Sequence, residues 1–339
     1  MQVLGLSILL STSSASFAEL VMDASKGTGQ AALNWSSEDA SQLLNGDASA
    51  EVSPPGATKI TTTVRSSSSA PVHSAPKPVQ ILNNSNYSNQ PSVSARAALV
   101  MDGQTGEVLY SKNSNTAYPI ASLTKLMTAV VIADSRLNMS EKITLQQADF
   151  SCAGCKSSSS TLRAGDSMNR AEALLFALMK SENPAAAALA RTYPGGRAVF
   201  IAKMNAKAKE LGMNSTHYLE STGLHPGNVS SARDLGILVN TASQYSLIRQ
   251  FSTTPSYDFN LGYRVLKANN TNALVRNGGW NINISKTGYI NEAGRCVVMH
   301  TTLNNRPAIV VLLGAGSSAG RTNDATRLMS WASQLPKRI

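Results

Sequence analysis

Apolar residues follow two different rhythms along this chain. From about Ala95, "ARAALVMD" and "GEVLYSK" read as two short strands joined at "DGQTG", a hairpin. A long, mostly helical middle follows. In "IASLTKLMTA", which begins at Ile120, the residues Leu123, Leu126, Met127 and Val130 fall on one side of a helix. "NRAEALLFALMK" has helical spacing too. So does "GRAVFIAKMNAKAKELG", where Phe200, Met204, Ala208 and Leu211 recur every three or four residues and Gly212 supplies a stop. "SSARDLGILVNTAS" opens on a capping box from Ser231 to Asp234. After about Tyr263 the pattern turns to strands, "YRVLKA", "NINISKTGYI", "RCVVMHTTL" and "PAIVVLLGA", with "NNR" as a turn, and a helix "TNDATRLMSWASQL" ends the series. Strands at both ends with helices between predict an α/β (α+β) fold. One antiparallel sheet is closed by both termini, the last helix lies against it, and a helical lobe is inserted in the middle.

Residues 1–94 lack this order. "MQVLGLSILLSTSSASFA" has an apolar run of about eight residues, then small residues with Ser16 and Ala18 around a cleavage point. That is the shape of a secretory signal over 1–18, although no Lys or Arg precedes the run, and it is too short to span a membrane. Residues 19–51 show no sustained periodicity, and from Val52 to Ser94 24 of 43 residues are Ser, Thr, Pro or Asn. Such composition buries too little apolar surface to offset the entropy of ordering, so 19–94 is expected to be a disordered tether and 95–336 the folded domain. Export to a soluble compartment, the periplasm, follows from the signal.

Charge divides along the same line. Residues 1–94 carry 4 Lys/Arg and 6 Asp/Glu, leaving 26 and 14 for the remainder, a net of +12. A basic domain suits loose association with an anionic surface, sacculus or membrane, and equally suits plain solubility. Nucleic acid is a poor fit, because aromatics are only 5% and no basic helix or aromatic-studded strand stands out. The pair Cys152 and Cys155 in "CAGC" lacks the second ligand pair of a zinc site and the setting of a redox motif, so a small loop-closing disulfide leads, with a loose thiol pair second. Cys296 reads as a buried small hydrophobe.

The chemistry sits in three short motifs. Ser122-x-x-Lys125 places a hydroxyl and an amine three residues apart, on one side of a helix and at its start. Free N–H groups and the positive end of the helix dipole are available there for an oxyanion. A serine needs a base, and a lysine serves when desolvation or a second cation makes it neutral. Another match, Ser74 to Lys77, lies in the Pro-rich tether and is noise. Ser181-Glu182-Asn183 falls between two helices, with Pro184 suited to the first turn of the second. Similar triplets at Ser111 and Ser167 show how little that pattern says alone. Lys286-Thr287-Gly288 is the only Lys-Thr-Gly in the chain, and its glycine inside a strand marks a close approach of backbone or ligand. Lys286 would be the second cation beside Lys125. One decoy, Gly316-x-Ser318-x-Gly320, resembles a hydrolase elbow, but no histidine follows it.

In this order, 59 and 105 residues apart, the three motifs resemble the signature of penicillin-binding proteins and serine β-lactamases. From about residue 95 to 335 the chain is similar to the D-alanyl-D-alanine endopeptidases of the penicillin-binding protein 7 type, S11 serine peptidases. The resemblance is carried by "PIASLTKLMTA", "SENPAAAALARTYPGG", "MNAKAKELGM", "STGLHPGNVSSARDL" and "KTGYINEAGRCVVM". It implies the serine β-lactamase/DD-peptidase fold and a role for each motif residue. Ser122 would attack a D-alanyl carbonyl and Lys125 take its proton. Ser181 would relay a proton to the leaving amine, and Asn183 would hold the substrate amide and orient Lys125. Lys286 and Thr287, on the strand with Gly288, would bind the leaving side's carboxylate, and the N–H groups of Ser122 and Tyr289 would form the oxyanion hole. Cross-linked peptides of peptidoglycan would be the substrate and β-lactams covalent inhibitors. No cofactor or metal is implied, and the four histidines show no ligand spacing.

Three alternatives remain open. A D-Ala-D-Ala carboxypeptidase shares the catalysis, but its larger members add a C-terminal β-domain and an anchoring helix for which a chain ending at Ile339 leaves no room. A class A β-lactamase deacylates with a Glu in a Glu-x-x-Leu-Asn element, and Glu220 in "HYLESTGLHPGN" lacks that context. A non-catalytic binder or β-lactam sensor would not need Lys125, Ser181 and Lys286 together.

Overall fold

The computed structural model describes residues 87–336. A five-stranded sheet organises it: β1 (Ala97–Asp102), β2 (Val108–Lys112), β3 (Asn281–Ile290), β4 (Gly294–Leu303) and β5 (Arg306–Ala315). The order is β2-β1-β5-β4-β3 and every pairing is antiparallel. First and last strands therefore lie side by side, Val100 opposite Val310, as the expected closure by both ends requires. The Asn304–Asn305 turn between β4 and β5 has positive φ at both residues, which asparagine tolerates and a two-residue hairpin demands.

Both faces of the sheet are covered, so the central strands are apolar on both sides. Leu99, Met101, Ile309 and Val311 face a helical lobe. Val100, Val310 and Leu312 face the terminal helix with its Leu328 and Met329. The helices in chain order are α1 (Thr124–Asp134), α2 (Arg170–Leu175, widening into a π-turn through Lys180), α3 (Asn183–Arg191), α4 (Gly196–Glu210), α5 (Ala232–Ala242), α6 (Ser246–Thr253) and the terminal α7 (Ser318–Ala332). A short helix, Ala273–Asn277, precedes β3. No helix among the described residues is long and apolar enough to cross a membrane.

Four details differ from the sequence expectation. Helix α1 buries all of Thr124 to Ala133, polar residues included, rather than one side, because it runs through the middle of the molecule. "YRVLKA" is not part of the sheet: Val265–Asn269 pairs with Ser256–Asn260 in a separate hairpin. Ser231 caps α5 by accepting from Asp234 N at 3.0 Å, but the Asp234 carboxylate turns to Ser215 N and Thr216 Oγ1 instead of completing the box. Tyr87 to Ser94, the last stretch assigned to the tether, lies on α7. Tyr87 meets Trp331 edge to face, and Ser94 N, Ser94 Oγ and Ala95 N all donate to Asp324 Oδ2 at 2.7–2.9 Å. The rest of the tether and the signal segment lie outside the described residues.

Cys152 and Cys155 are disulfide-bonded, and Cys296 is buried, its thiol pushed up to about 11 by burial. Ser317, in the glycine-rich decoy, caps α7 by accepting from Gly320 N.

Candidate active site

A tight turn, Ala121–Leu123, leads directly into α1 and carries Ser122. Ala121 adopts φ +48°, a conformation that L-residues avoid and that persists only where the surroundings impose it. They do so from two sides. Gly288 of β3 passes so close that an added Cβ would lie 3.0 Å from Ile120 O and 3.1 Å from Ser122 N. Gly223, at φ +85°, has its missing Cβ directed into the Ala121 carbonyl. The strand glycine thus marks close approach of backbone, as its position in Lys-Thr-Gly suggested. Gly223→Ala is expected to cost at least about 2 kcal/mol. For a domain of this size that lowers Tm by roughly 4–8 °C, read by calorimetry, and penicillin acylation falls with it as the Ser122 turn shifts.

One turn along α1, Lys125 Nζ lies 2.8 Å from Ser122 Oγ, 2.6 Å from Asn183 Oδ1 and 2.6 Å from the Thr222 carbonyl. Lys125 is fully buried. Burial lowers it to about 7, against an upward pull from the Glu220 and Glu182 carboxylates. The partners then dictate the geometry. Asn183 Oδ1 and the Thr222 carbonyl can only accept, so the two hydrogens of a neutral amine go to them. In the neutral amine the lone pair is then left facing Ser122, able to take its proton, whereas the ammonium donates to Ser122 Oγ.

Ser181 stands between the α2 π-turn and α3 at φ +65°, and Lys286 Nζ donates to its Oγ at 2.8 Å and to the Thr287 carbonyl at 2.8 Å. Lys286 is held well below the usual lysine range by burial, then by the charges of Lys125 and Arg321. The expected influence of Lys286 on Lys125 is not seen: burial alone lowers Lys125, and the effect between the two lysines runs the other way, the charge of Lys125 helping to lower Lys286. Thr287 Oγ1 donates to Thr271 Oγ1 at 2.7 Å. Tyr289, two residues past Thr287 on the edge strand β3, is 47% exposed, its ring covered by the Arg295 guanidinium at 3.6 Å. Ser122, Lys125 and Asn183 therefore touch directly, as do Ser181 and Lys286, and Gly288 packs between the strand and the serine turn. All three motifs meet where β3 passes the start of α1 and the α2–α3 turn.

Residues 84–317 match the S11 peptidase family, described as D-alanyl-D-alanine carboxypeptidase. The chain belongs to the S11 peptidases. A D-alanyl-D-alanine endopeptidase of Pseudomonas aeruginosa is 46% identical over 249 residues, 71% of this chain and 78% of that protein. One of Escherichia coli is 43% identical, covering 76% and 83%. The crystal structure of the Streptomyces K15 DD-transpeptidase superposes with a TM-score of 0.67 at 31% identity, over 73% of this chain and all of that one. The protein is accordingly a serine peptidase with the fold of penicillin-binding DD-peptidases.

Several contributors to this S11 site carry no motif. The Glu220 carboxylate accepts from Gly223 N at 2.6 Å, from Asn228 Nδ2 at 3.0 Å, and from Thr222 N and His225 N. It thereby shapes the loop whose Thr222 carbonyl holds Lys125, and is fully engaged there, which agrees with its lack of a β-lactamase context. Glu182, the middle residue of the second motif, accepts the Ser160 and Thr161 hydroxyls at 2.6 Å each. Asn183 Nδ2 donates to Ser158 Oγ at 2.8 Å. The serine run at residues 157–160 is thus packed against the second motif. Arg321, on α7 and only 8% exposed, places a guanidinium charge near Lys286. Its own neighbours are chiefly positive, Arg295 and Arg276 among them. An isolated arginine in "GRTNDA" offers no local signal of this.

Proposed function

We propose that the protein is an exported serine DD-endopeptidase that opens cross-links between D-alanine and meso-diaminopimelate in peptidoglycan through an acyl-enzyme on Ser122. The 2.8 Å contact between Ser122 Oγ and a Lys125 amine whose other partners only accept carries the reading. The endopeptidase relatives support the choice of bond.

Ser122 Oγ attacks the D-alanyl carbonyl as its proton passes to Lys125, and the oxyanion is met by the N–H groups of Ser122 and Tyr289. Collapse of the tetrahedral intermediate expels the diaminopimelate amine, which takes a proton delivered from Lys125 by way of Ser181. The ester left on Ser122 is hydrolysed by water that Lys125 deprotonates. Asn183 orients Lys125 through Oδ1 and offers Nδ2 to the donor amide once Ser158 gives way. Lys286 and Thr287, with the nearby Arg321, hold the carboxylate of the leaving side; neither Lys286 nor Arg321 is ion-paired with a carboxylate among the described residues, which suits an incoming anion. β-Lactams present the same acyl group and would be trapped on Ser122.

The test uses the purified chain with a D-alanyl–diaminopimelate cross-linked dimer and a monomeric pentapeptide, products read by mass spectrometry. Conversion of dimer to monomers supports the endopeptidase. Loss of a terminal D-alanine from the pentapeptide, with the dimer untouched, moves the assignment to carboxypeptidase, the activity by which the S11 family is described.

A further inference from the structure

Beyond the motif residues, one ion pair joins the two sides of the site. Lys156 lies just past the disulfide, in a loop held at several points. Its N–H donates to the Leu224 carbonyl at 3.1 Å, and the His225 ring lies so near Gly154 that an added Cβ would fall 2.7 Å from Nε2. The same loop continues to Ser158 on Asn183 and to Ser160 and Thr161 on Glu182. Glu292 belongs to the opposite side, in the turn joining β3 to β4. Arg96 Nη2 fixes that turn by donating to the Glu292 and Ala293 carbonyls at 2.9 and 2.6 Å. Across the gap Lys156 Nζ meets Glu292 Oε1 at 2.6 Å.

Two features separate this pair from an ordinary surface contact. The side chains are 48% and 36% exposed, so the pair adds little to stability. Yet Glu292 Oε2 is shielded from solvent and, among the described residues, takes no side-chain donor, Lys156 meeting Oε1 instead, which leaves it open to an incoming donor. The pair also lies at a defined end of the site, an inference that rests on the endopeptidase reading. There the leaving side's carboxylate sits at Lys286 and Thr287 and the reacting carbonyl at Tyr289. A peptide extended along β3 then runs its acyl-donor side beyond Tyr289, toward Glu292.

We propose that Lys156 and Glu292 form a subsite for a zwitterionic amino-acid head on the acyl-donor peptide. The ammonium of the head replaces Lys156 at Glu292 and donates to Oε2, while its carboxylate is taken up by the released Lys156 Nζ. One protein ion pair is exchanged for two contacts of the same sign pattern. meso-Diaminopimelate has the required chemistry. It carries an amino-acid group at each end, one built into the stem peptide and the other free in the donor strand of a cross-link. Lysine at that position would offer the ammonium without the carboxylate.

The experiment compares kcat/KM on two synthetic cross-linked dimers that differ only in the donor residue, meso-diaminopimelate or L-lysine. The native chain should prefer the diaminopimelate donor about fivefold, the scale of one partly exposed charge contact. Lys156→Met should bring the ratio close to one by slowing the diaminopimelate donor alone. Glu292→Gln should slow both donors and leave the ratio largely intact, since both carry the ammonium. Thermal unfolding of the variants within about 2 °C of native, the scale of ±0.5 kcal/mol for a surface change, shows that they fold. A native ratio of one, or a Lys156→Met effect equal on both donors, overturns the subsite while leaving the endopeptidase standing. Cleavage of neither dimer by the native chain overturns the endopeptidase and the subsite together.

Discussion

Ser122→Ala should abolish covalent labelling by benzylpenicillin and lower kcat/KM on the cross-linked dimer by at least about 10⁴-fold, the scale of removing a nucleophile from a serine hydrolase. No other hydroxyl can stand in. Ser181 Oγ is the acceptor of Lys286 and is held in a left-handed turn, with no hydrogen bond to Lys125 among those of the described residues. The loss would not be a folding defect. Among the described side-chain hydrogen bonds, Ser122 Oγ makes one, to Lys125, which keeps Asn183 and Thr222 without it. Thermal unfolding should therefore be unchanged or slightly raised, as often happens when a strained functional group is removed. Retention of labelling by Ser122→Ala would remove Ser122 from the mechanism.

Lys125→Met should slow acylation by about 10³-fold, within the range set by loss of a positioned base. Methionine has nearly the length of lysine and no charge, so the buried channel stays filled. In the native chain the same amine should set the acid limb of the pH profile. Burial disfavours the ammonium and lowers Lys125 to about 7. Only the neutral form accepts the Ser122 proton, so the acylation rate should rise tenfold per pH unit below about 7 and level off above it. Stopped-flow acylation from pH 5 to 9 reads both the limb and its disappearance in Lys125→Met. A limb near the ordinary lysine value would mean that burial does not tune this amine.

Most of the candidate site's composition was legible in the sequence, because each motif is a side-chain identity at a local spacing, and the structure brings these residues together. Ser122 and Lys125 are one helical turn apart, and Lys286 to Gly288 lie on one strand, so local geometry already fixes most of each relation. Order and separation along the chain did the rest. Contacts made by backbone atoms or from remote segments left no such trace. The Thr222 carbonyl reaches Lys125 from 97 residues away. Arg321 arrives on the terminal helix, and Lys156 finds Glu292 only because the sheet and the lobe fold toward each other. The sheet was legible for the same reason as the motifs, since apolar runs such as "PAIVVLLGA" admit few other uses. The burial of α1 was not. The apolar spacing accounted for one side only, whereas on the other Thr128 Oγ1 donates to the Ser221 carbonyl at 2.8 Å and Lys125 is surrounded. A polar residue in a helix shows its burial only when its partner is known, and here the partners come from the 220–223 loop.

The most direct measurement is the site of the penicillin adduct. The native chain would be incubated with benzylpenicillin, quenched, weighed intact and digested for peptide mapping by mass spectrometry. A single addition equal to the whole antibiotic, located at Ser122, is the expected result. An adduct on another residue, or none, would contradict the Ser122 acyl-enzyme on which the proposed reaction depends.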